Sequence, residues 1–294
     1  MHSKKTAALF LALLAVFLFA GYKLVTTWLD YRQSEVYYEG LTEAFVQAAP
    51  TPAPVAGKTA APVATEPPAV TETPKEAATE VIAAPTPASS ALATETPAPT
   101  PAAPAPPISV DFARLREINP DVVGWIYCED TAINYPVLRG ANNDVYLHRQ
   151  LDGSQSYAGS IFMDSACAAD FSDDNTVLYG HNMKNGSMFA GLPRFGEAEY
   201  FAAHPRMWLL TPAGNWQVRL FAAFVTKAGD WAYAVNFEGA TAREAFLDQA
   251  TAASSVDSGL RPAEDVRLLT LSTCNYSFDK ARYVVIGELI AAWD

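Results

Sequence analysis

Two apolar stretches near the C-terminus carry the clearest strand pattern in the chain: Val266-Arg-Leu-Leu-Thr-Leu-Ser-Thr-Cys274 and Arg282-Tyr-Val-Val-Ile-Gly-Glu-Leu-Ile-Ala291. Both are rich in aliphatic and β-branched residues, which is typical of buried strands. Only the short loop of residues 275–281 separates them, so they are expected to pair as adjacent antiparallel strands. This pairing would place Cys274 and Arg282 side by side at one rim of the sheet.

Six further runs of the same kind precede these two strands, and turn-forming sequences such as Asp173-Asp-Asn175 separate them. The runs are Trp125–Cys128, Ile133–Leu138, Ser160–Asp164, Thr176–Tyr179, Met207–Thr211 and Trp216–Thr226. Eight short strands favour a closed β-barrel or a sandwich. The sequence therefore predicts a mainly β fold.

Two helices are predicted around these strands. Asp111 has the side chain of an N-cap, and Asn119-Pro120 ends the helix that follows it. The sequence Thr241-Ala-Arg-Glu244 has the pattern of a capping box, which predicts a late helix with Thr241 as its N-cap. The expected domain is a β structure with peripheral helices.

The first residues of the chain predict a membrane anchor. An uncharged run from Thr6 to Tyr22 follows Lys4 and Lys5, and more apolar residues continue it. Residues 1–29 are therefore interpreted as a cytoplasmic tip with one transmembrane span, since about 20 apolar residues cross a bilayer. The two lysines favour a cytoplasmic N-terminus and an extracellular C-terminal domain. A cleaved signal peptide is the alternative, for which Phe19-Ala-Gly21 is a poor cleavage site.

Three regions follow the predicted anchor. Residues 30–47 mix apolar and charged side chains and are interpreted as a juxtamembrane amphipathic helix. Residues 48–107 hold 15 of the 21 prolines and predict a disordered Pro/Ala/Thr-rich linker, interpreted as a spacer that projects the folded domain away from the membrane. Residues 108–294 are enough for one buried core and form the predicted folded domain.

Composition and charge exclude several functional classes. The net charge of −12 argues against a nucleic-acid partner, because basic surfaces bind phosphate backbones. The cysteines show neither a disulfide framework nor a zinc-binding pattern, and the acids around Asp170 are interpreted as solvated rather than as a calcium site. No metal and no other cofactor is predicted. Cys128 is interpreted as a core residue and Cys167 as a free surface thiol, with a disulfide between them as the alternative.

Three side chains suggest acyl-transfer chemistry. Cys274 ends one predicted strand, Arg282 begins the next, and His181 lies just past another strand in Tyr179-Gly-His-Asn-Met183. A thiolate attacks a carbonyl, an imidazolium protonates the leaving amine, and a guanidinium stabilises the oxyanion. A lone cysteine is more often a small core residue, so the pattern alone leaves the structural interpretation open. His148 is interpreted as a residue that holds a loop by hydrogen bonds.

The motifs around these residues resemble those of class B sortases, in the order of that family and over about residues 110–290. They are Asn119-Pro-Asp-Val-Val-Gly-Trp-Ile-Tyr127, Ile133-Asn-Tyr-Pro-Val137, Tyr146-Leu-His148, Gly159-Ser-Ile-Phe-Met-Asp164, Tyr179-Gly-His-Asn-Met183, Gly186-Ser-Met-Phe189, and Thr270-Leu-Ser-Thr-Cys274 with Arg282 downstream. The resemblance implies a closed sortase-type β-barrel of about eight strands with an N-terminal helix and one late inserted helix. The long Pro-rich segment departs from the family pattern.

The resemblance also implies roles for individual residues. Cys274 would be the nucleophile, His181 the general acid and base, and Arg282 the group that binds the oxyanion or the substrate. The expected lining of the substrate groove is Ser272, Thr273, Asn134 and Leu138, and the backbone N–H of Asn275 is expected to complete the oxyanion hole.

A membrane-anchored cysteine transpeptidase follows from the resemblance. Such an enzyme cleaves a C-terminal sorting signal of secreted proteins after Thr, holds the product as a thioester and passes it to an amine of the cell wall or of a pilin. The implied partners are the sorting-signal peptide, the amine acceptor of peptidoglycan or pilin, and the membrane. Two alternatives stay open, namely a thiol endopeptidase that uses water and a catalytically silent β-barrel displayed as a binding module.

Overall fold

The computed structural model describes residues 2–49 and 105–292; most of the predicted linker lies outside these ranges. The helices are α1 (His2–Phe45), α2 (Phe112–Ile118), α3 (Ala198–Ala203) and α4 (Ala240–Ala253). The strands are β1 (Val46–Ala48), β2 (Ile108–Val110), β3 (Val122–Tyr127), β4 (Asn134–Leu138), β5 (Ile161–Met163), β6 (Asn175–Tyr179), β7 (Arg206–Thr211), β8 (Gly214–Lys227), β9 (Leu268–Cys274) and β10 (Ala281–Ala292).

Within the described ranges, eight strands form a closed barrel in the order β10-β8-β7-β3-β4-β5-β6-β9, and β9 closes it against β10. Most neighbours are antiparallel, while β4 with β5 and β6 with β9 are parallel. Every one of the eight runs predicted from the sequence is a barrel strand. The predicted fold class is confirmed.

The strands have continuous apolar sequences because the protein has hydrophobic clusters on both sides of the sheet at β9. All but the last residue of β9 are buried. Leu269 and Leu271 belong to the main core, whereas Leu268 packs in a second cluster with Phe246 and Leu247 of α4. Successive side chains of a strand point to opposite faces. Because α4 covers the outer face of β9, side chains on both faces of this strand are buried and apolar.

Of the two predicted N-caps, the structure confirms that of α2 and contradicts that of α4. Asp111 caps α2 as predicted, and its Oδ1 accepts a hydrogen bond from the backbone N–H of Arg114 at 3.1 Å. The prediction of Thr241 as the N-cap of α4 is wrong, because the helix already begins at Ala240 and its cap is Gly239 with φ +83°. Glu244 does not reach back to the helix start but pairs with Arg261 at 2.5 Å.

The N-terminal helix α1 is continuous across the two regions that the sequence analysis separated at residue 29. Its apolar part is long enough to cross a membrane, and the side chains around Phe17 are exposed. Its second half packs on the barrel through Ser34, Tyr38, Leu41 and Phe45, which are all buried. Their spacing of four, three and four residues places them on one face of the helix. The folded unit therefore includes residues well before Ile108.

The chain leaves and re-enters this unit at one place. Strand β1 pairs with β2 in antiparallel register, from Val46 opposite Val110 to Ala48 opposite Ile108. One residue further, the N–H of Ala49 donates to the carbonyl of Pro107 at 2.8 Å. Because α1 packs directly on the barrel, the segment between these ends does not set the distance between α1 and the barrel. The interpretation of this segment as a spacer between the membrane and the folded domain stays a prediction.

This architecture predicts how the protein responds to a shorter connection. Replacing residues 50–104 by about seven Gly and Ser residues shortens the loop closed by β1 and β2 about eightfold. Loop closure costs about 0.6 kcal/mol per doubling of length, so we expect up to ~2 kcal/mol of added stability, measured as a higher Tm. A shuffled segment of the same length should leave Tm unchanged. A lower Tm after shortening would mean that the native segment stabilises the fold by contacts of its own.

Candidate active site

A cavity of about 240 Å³ opens at the rim of the barrel where β6 and β9 end and β10 begins. Of the residues predicted for the site, it is lined by Cys274, His181, Arg282, Ser272 and Thr273. The remaining lining residues are Asn143, Leu147, Phe162, Tyr179, Gly180, Ala228, Gly229 and Tyr233. The fold therefore brings His181 to the same opening as Cys274 and Arg282, which are distant from it in sequence.

The antiparallel pairing of β9 with β10 places Cys274 directly opposite Arg282, as the sequence predicts. Cys274 is the last residue of its strand and is half-buried. The Arg282 side chain donates to the carbonyl of Ala281 at 3.1 Å. Among the described residues it forms no ion pair with a carboxylate. Its charge is therefore available to a group bound beside the thiol.

His181 reaches the same rim because β6 runs parallel to β9. The N–H of Gly180 donates to the carbonyl of Ser272 at 3.1 Å, which continues the strand pairing up to the histidine. Gly180 has no space for a side chain, since a Cβ atom there would lie 2.4 Å from Ile161 Cδ1 and 2.7 Å from Phe189 Cδ2. The glycine thus lets the strand end pass close to the core, and His181 after it lines the same cavity as Cys274.

One ring nitrogen of His181 has a fixed partner. Nε2 lies 2.8 Å from the carbonyl oxygen of Leu147. A carbonyl oxygen only accepts, so Nε2 carries a proton and Nδ1 is the nitrogen that can take up and release one. Burial is the largest cause that lowers the pKa of His181 below its ordinary value, and the nearby His148 and Arg282 lower it further against the opposing effect of the carbonyl. The lowered pKa favours the neutral imidazole, which is the form that accepts a proton.

Two polar contacts that the sequence analysis missed fix the end of β9. The Asn182 side chain donates to the carbonyl of Cys274 at 2.8 Å. The hydroxyls of Tyr233 and Ser272 lie 2.8 Å apart. Asn182 directly follows His181 in Tyr179-Gly-His-Asn-Met183, so its position beside the histidine could have indicated it. Tyr233 ends the short 3₁₀ turn Trp231–Tyr233 between β8 and α4, where no sequence pattern indicated it as a site residue.

Three residues predicted for the site lie elsewhere or are already engaged. Leu138 is fully buried in the core. Asn134 accepts a hydrogen bond from Trp125 Nε1 at 2.7 Å and lines a different cavity, next to α1. The N–H of Asn275 donates to the carbonyl of Ala281 at 3.0 Å. That N–H is thus already paired in this structure, and the contribution of Asn275 to an oxyanion hole stays a prediction.

The other two cysteines are unsuited to nucleophilic chemistry. Cys128 and Cys167 are free and buried, so neither the disulfide nor the interpretation of Cys167 as a surface thiol is correct. Burial raises the pKa of both thiols to about 11. They are protonated at neutral pH. Cys274 is the cysteine within reach of a base and a cation.

The backbone of His148 holds its loop, since its carbonyl accepts the N–H of Ser156 at 3.0 Å, but its side chain has a contact that the sequence did not predict. Its side chain is exposed, and its ring stacks on that of His181 with centroids 5.4 Å apart and planes 19° apart. Tyr157, which the sequence analysis did not single out, stacks on His181 as well, at 6.3 Å. The imidazole of His181 thus has aromatic neighbours on the solvent side of the cavity.

Comparison with known proteins places this site in a family. The sortase domain model matches residues 126–290. Sortase B of Listeria monocytogenes is 36% identical over 178 residues, which are 60% of this chain and 72% of the relative. Sortase B of Staphylococcus aureus is 33% identical over 181 residues, 61% of this chain and 74% of the relative.

Solved structures agree with the sequence comparison. The S. aureus sortase B–substrate complex superposes with a TM-score of 0.59 at 32% identity, covering 62% of this chain and 85% of that chain. The likeness extends over the barrel that carries Cys274, His181 and Arg282. The chain belongs to the sortase family of cysteine transpeptidases and is a class B sortase.

Proposed function

We propose that the protein cleaves a C-terminal sorting signal of secreted proteins after Thr and transfers the new carboxyl end to an amine of the cell wall or of a pilin. The observation that carries the proposal is the meeting of Cys274, His181 and Arg282 at one cavity in a chain of the sortase family. Each is the residue type that its proposed step needs.

The acylation step uses His181 to move one proton. Sγ of Cys274 attacks the Thr carbonyl carbon while the thiol proton passes to Nδ1 of His181. The negative charge on the carbonyl oxygen is stabilised by the Arg282 guanidinium, whose planar fork of donors stays charged. The C–N bond then breaks, and the leaving amine takes the proton from Nδ1. The product is a thioester on Cys274.

The second step reverses the roles with a different amine. The acceptor nitrogen attacks the thioester carbonyl, His181 removes its proton, and the C–S bond breaks. The proton then returns from Nδ1 to the sulfur, so that the enzyme is restored and a new amide bond is formed. The neutral state of His181 suits both steps, because the imidazole first accepts a proton and then donates it.

The substrate is proposed to be a sorting-signal peptide, which the existence of a sortase B–substrate complex in S. aureus supports. Ser272 and Thr273 line the cavity beside Cys274 and are proposed to contact the peptide. Asn134 and Leu138 remain predictions from the family pattern.

The location is proposed to be the outer face of the cell membrane. The apolar half of α1 has the length and composition of a single span, and Lys4 and Lys5 precede it. Lysines flanking a span favour the cytoplasmic side. The N-terminus is therefore proposed to be cytoplasmic and the barrel extracellular.

Product analysis tests this function. The full chain in detergent is incubated with a pool of Pro-x-Thr peptides and triglycine, and products are read by mass spectrometry. We expect peptides cut after Thr and joined to triglycine, and none with Cys274→Ala. Cleavage that triglycine never diverts would favour a thiol endopeptidase using water. No product and no acyl adduct on Cys274 would favour a catalytically silent binding module.

A further inference from the structure

The loop of residues 146–160, called the docking loop below, makes the contacts that hold His181 from the solvent side. The carbonyl of Leu147 bonds Nε2 at 2.8 Å. The rings of His148 and Tyr157 stack on the imidazole at 5.4 and 6.3 Å and lie 6.1 Å from each other. The three rings form one cluster at the mouth of the cavity.

The two halves of the docking loop are fastened to each other. The N–H of Ser160 donates to the carbonyl of Tyr146, and the N–H of Ser156 donates to that of His148, both at 3.0 Å. Gly159 has φ +59°, and a Cβ atom there would lie 2.4 Å from the carbonyl oxygen of Leu147. The loop thus closes on itself only with glycine at this position. A shift of one half moves the other.

Helix α1 holds the same loop from the other side, through Asp30, Tyr31, Ser34 and Tyr38, called the docking face below. Tyr38 donates to the carbonyl of Gly159 at 2.5 Å, and the hydroxyls of Ser34 and Ser156 lie 2.7 Å apart. Asp30 Oδ2 accepts the N–H of Tyr157 at 3.1 Å, and the rings of Tyr31 and Tyr157 are 6.0 Å apart.

The exposure of the docking-loop side chains shows why their contacts with α1 are important for holding them in place. The side chains of His148 and Tyr157 are exposed, so packing in the barrel core does not fix them. Buried hydrogen bonds resist displacement better than exposed contacts because breaking them leaves polar groups unpaired. Tyr38 supplies such a bond, and its side chain is only 6% exposed. Tyr146, Leu151 and Ala158 of the docking loop are buried in the barrel core, and α1 adds the contacts that hold the segment from Tyr157 to Gly159.

We infer that the docking face of α1 positions His181, acting through Tyr157 and the docking loop. The inference rests on the proposed role of His181 as acid and base. Asp30 and Tyr31 touch neither the imidazole nor the cavity and are positioning residues, not catalytic ones. The helix with the apolar N-terminal half thus also sets the geometry of the active site.

The charged and titratable groups around His181 determine the expected pH effect. His148 of the docking loop, Arg282 of β10 and Cys274 of β9 face it, and Asp30 of α1 lies behind Tyr157. Removing the Tyr157 ring exposes the imidazole to water and weakens the largest cause that lowers its pKa. The pKa of His181 should rise, and the acidic limb of the pH–rate profile should move to higher pH.

The test uses the full chain in lipid nanodiscs with ¹⁵N-labelled histidine. Tyr157→Leu is compared with Tyr157→Phe, which keeps the ring, and Asp30→Ala is compared with Arg32→Ala. Arg32 is an exposed α1 residue whose ion pair is with Glu35 of the same helix. Ligation gives kcat and KM, and imidazole ¹⁵N shifts against pH give the tautomer and pKa of His181.

We expect Tyr157→Leu to lower kcat about tenfold with little change in KM, since a small misplacement of a catalytic group costs one to two orders of magnitude. The pKa of His181 should rise in the same variant. Asp30→Ala should act in the same direction, whereas Tyr157→Phe and Arg32→Ala should match the parent.

The readouts separate the inference from the proposed function. If the imidazole ¹⁵N shifts of His181 change in Tyr157→Leu and Asp30→Ala while kcat does not, the docking face does position His181. In that case His181 is not the acid and base of the proposed mechanism. Unaltered shifts in Tyr157→Leu and Asp30→Ala would overturn the inference, whether or not kcat falls.

Discussion

Replacing Cys274 by Ala should abolish both cleavage and ligation while leaving the fold intact. The thiol is the proposed nucleophile, and no other cysteine lines the cavity. Loss of a covalent nucleophile costs several orders of magnitude, so product should fall at least roughly 10³-fold. Cys274 is the half-buried last residue of β9, so Tm should change little.

Cys167→Ala is the matched control, because it also removes a thiol. Cys167 is fully buried, and its sulfur accepts the N–H of Val177 at 3.5 Å. Its loss should lower stability by about 1–2 kcal/mol, as for small cavities and lost hydrogen bonds in a core, and leave turnover nearly unchanged. Each variant is assayed for peptide ligation and for thermal unfolding. Retained ligation by Cys274→Ala would remove the proposed mechanism.

Much of the barrel could be predicted from the sequence because its strands have local patterns. The runs that became β9 and β10 are apolar and separated by a short loop, and that alone predicts that Cys274 and Arg282 are neighbours. The parallel pairing of β6 with β9, which brings in His181, joins segments about 90 residues apart. No local pattern encodes this pairing, and the family resemblance implied only that His181 belongs to the site.

What the sequence analysis missed depends on contacts between distant segments. Tyr38 and Gly159 are 121 residues apart, and nothing in the amphipathic pattern of residues 30–47 says which surface that helix covers. The composition of residues 48–107 predicted a linker, but the pairing of its ends is a property of β1 and β2. The spacer interpretation of that segment stays a prediction. The N-cap of α4 is Gly239 and not the predicted Thr241. Gly239 has a positive φ, and the helix begins directly after it at Ala240.

The shared rim position of Arg282 and Cys274 leads to a second large effect. Arg282→Ala should lower kcat for ligation about 10²- to 10³-fold, the usual cost of removing one oxyanion donor. Arg282→Lys should recover only part of this loss, because an ammonium lacks the planar fork of donors. The side chain has no carboxylate partner among the described residues, so its removal leaves no buried charge unpaired and Tm should change little.

Lys280→Gln is the matched control for Arg282, since it removes an exposed positive charge two residues away. Kinetics of all three variants as a function of pH distinguish two roles. Loss of kcat at unchanged KM assigns Arg282 to the transition state, whereas a raised KM at unchanged kcat would assign it to substrate binding alone.

Arg282 also lowers the pKa of His181, and the proposed mechanism needs a neutral imidazole. In Arg282→Ala that pKa should rise, so the acidic limb of the pH–rate profile should shift to higher pH. A loss of rate equal to that of Lys280→Gln would reduce Arg282 to a contributor of general positive charge and contradict its place beside the oxyanion.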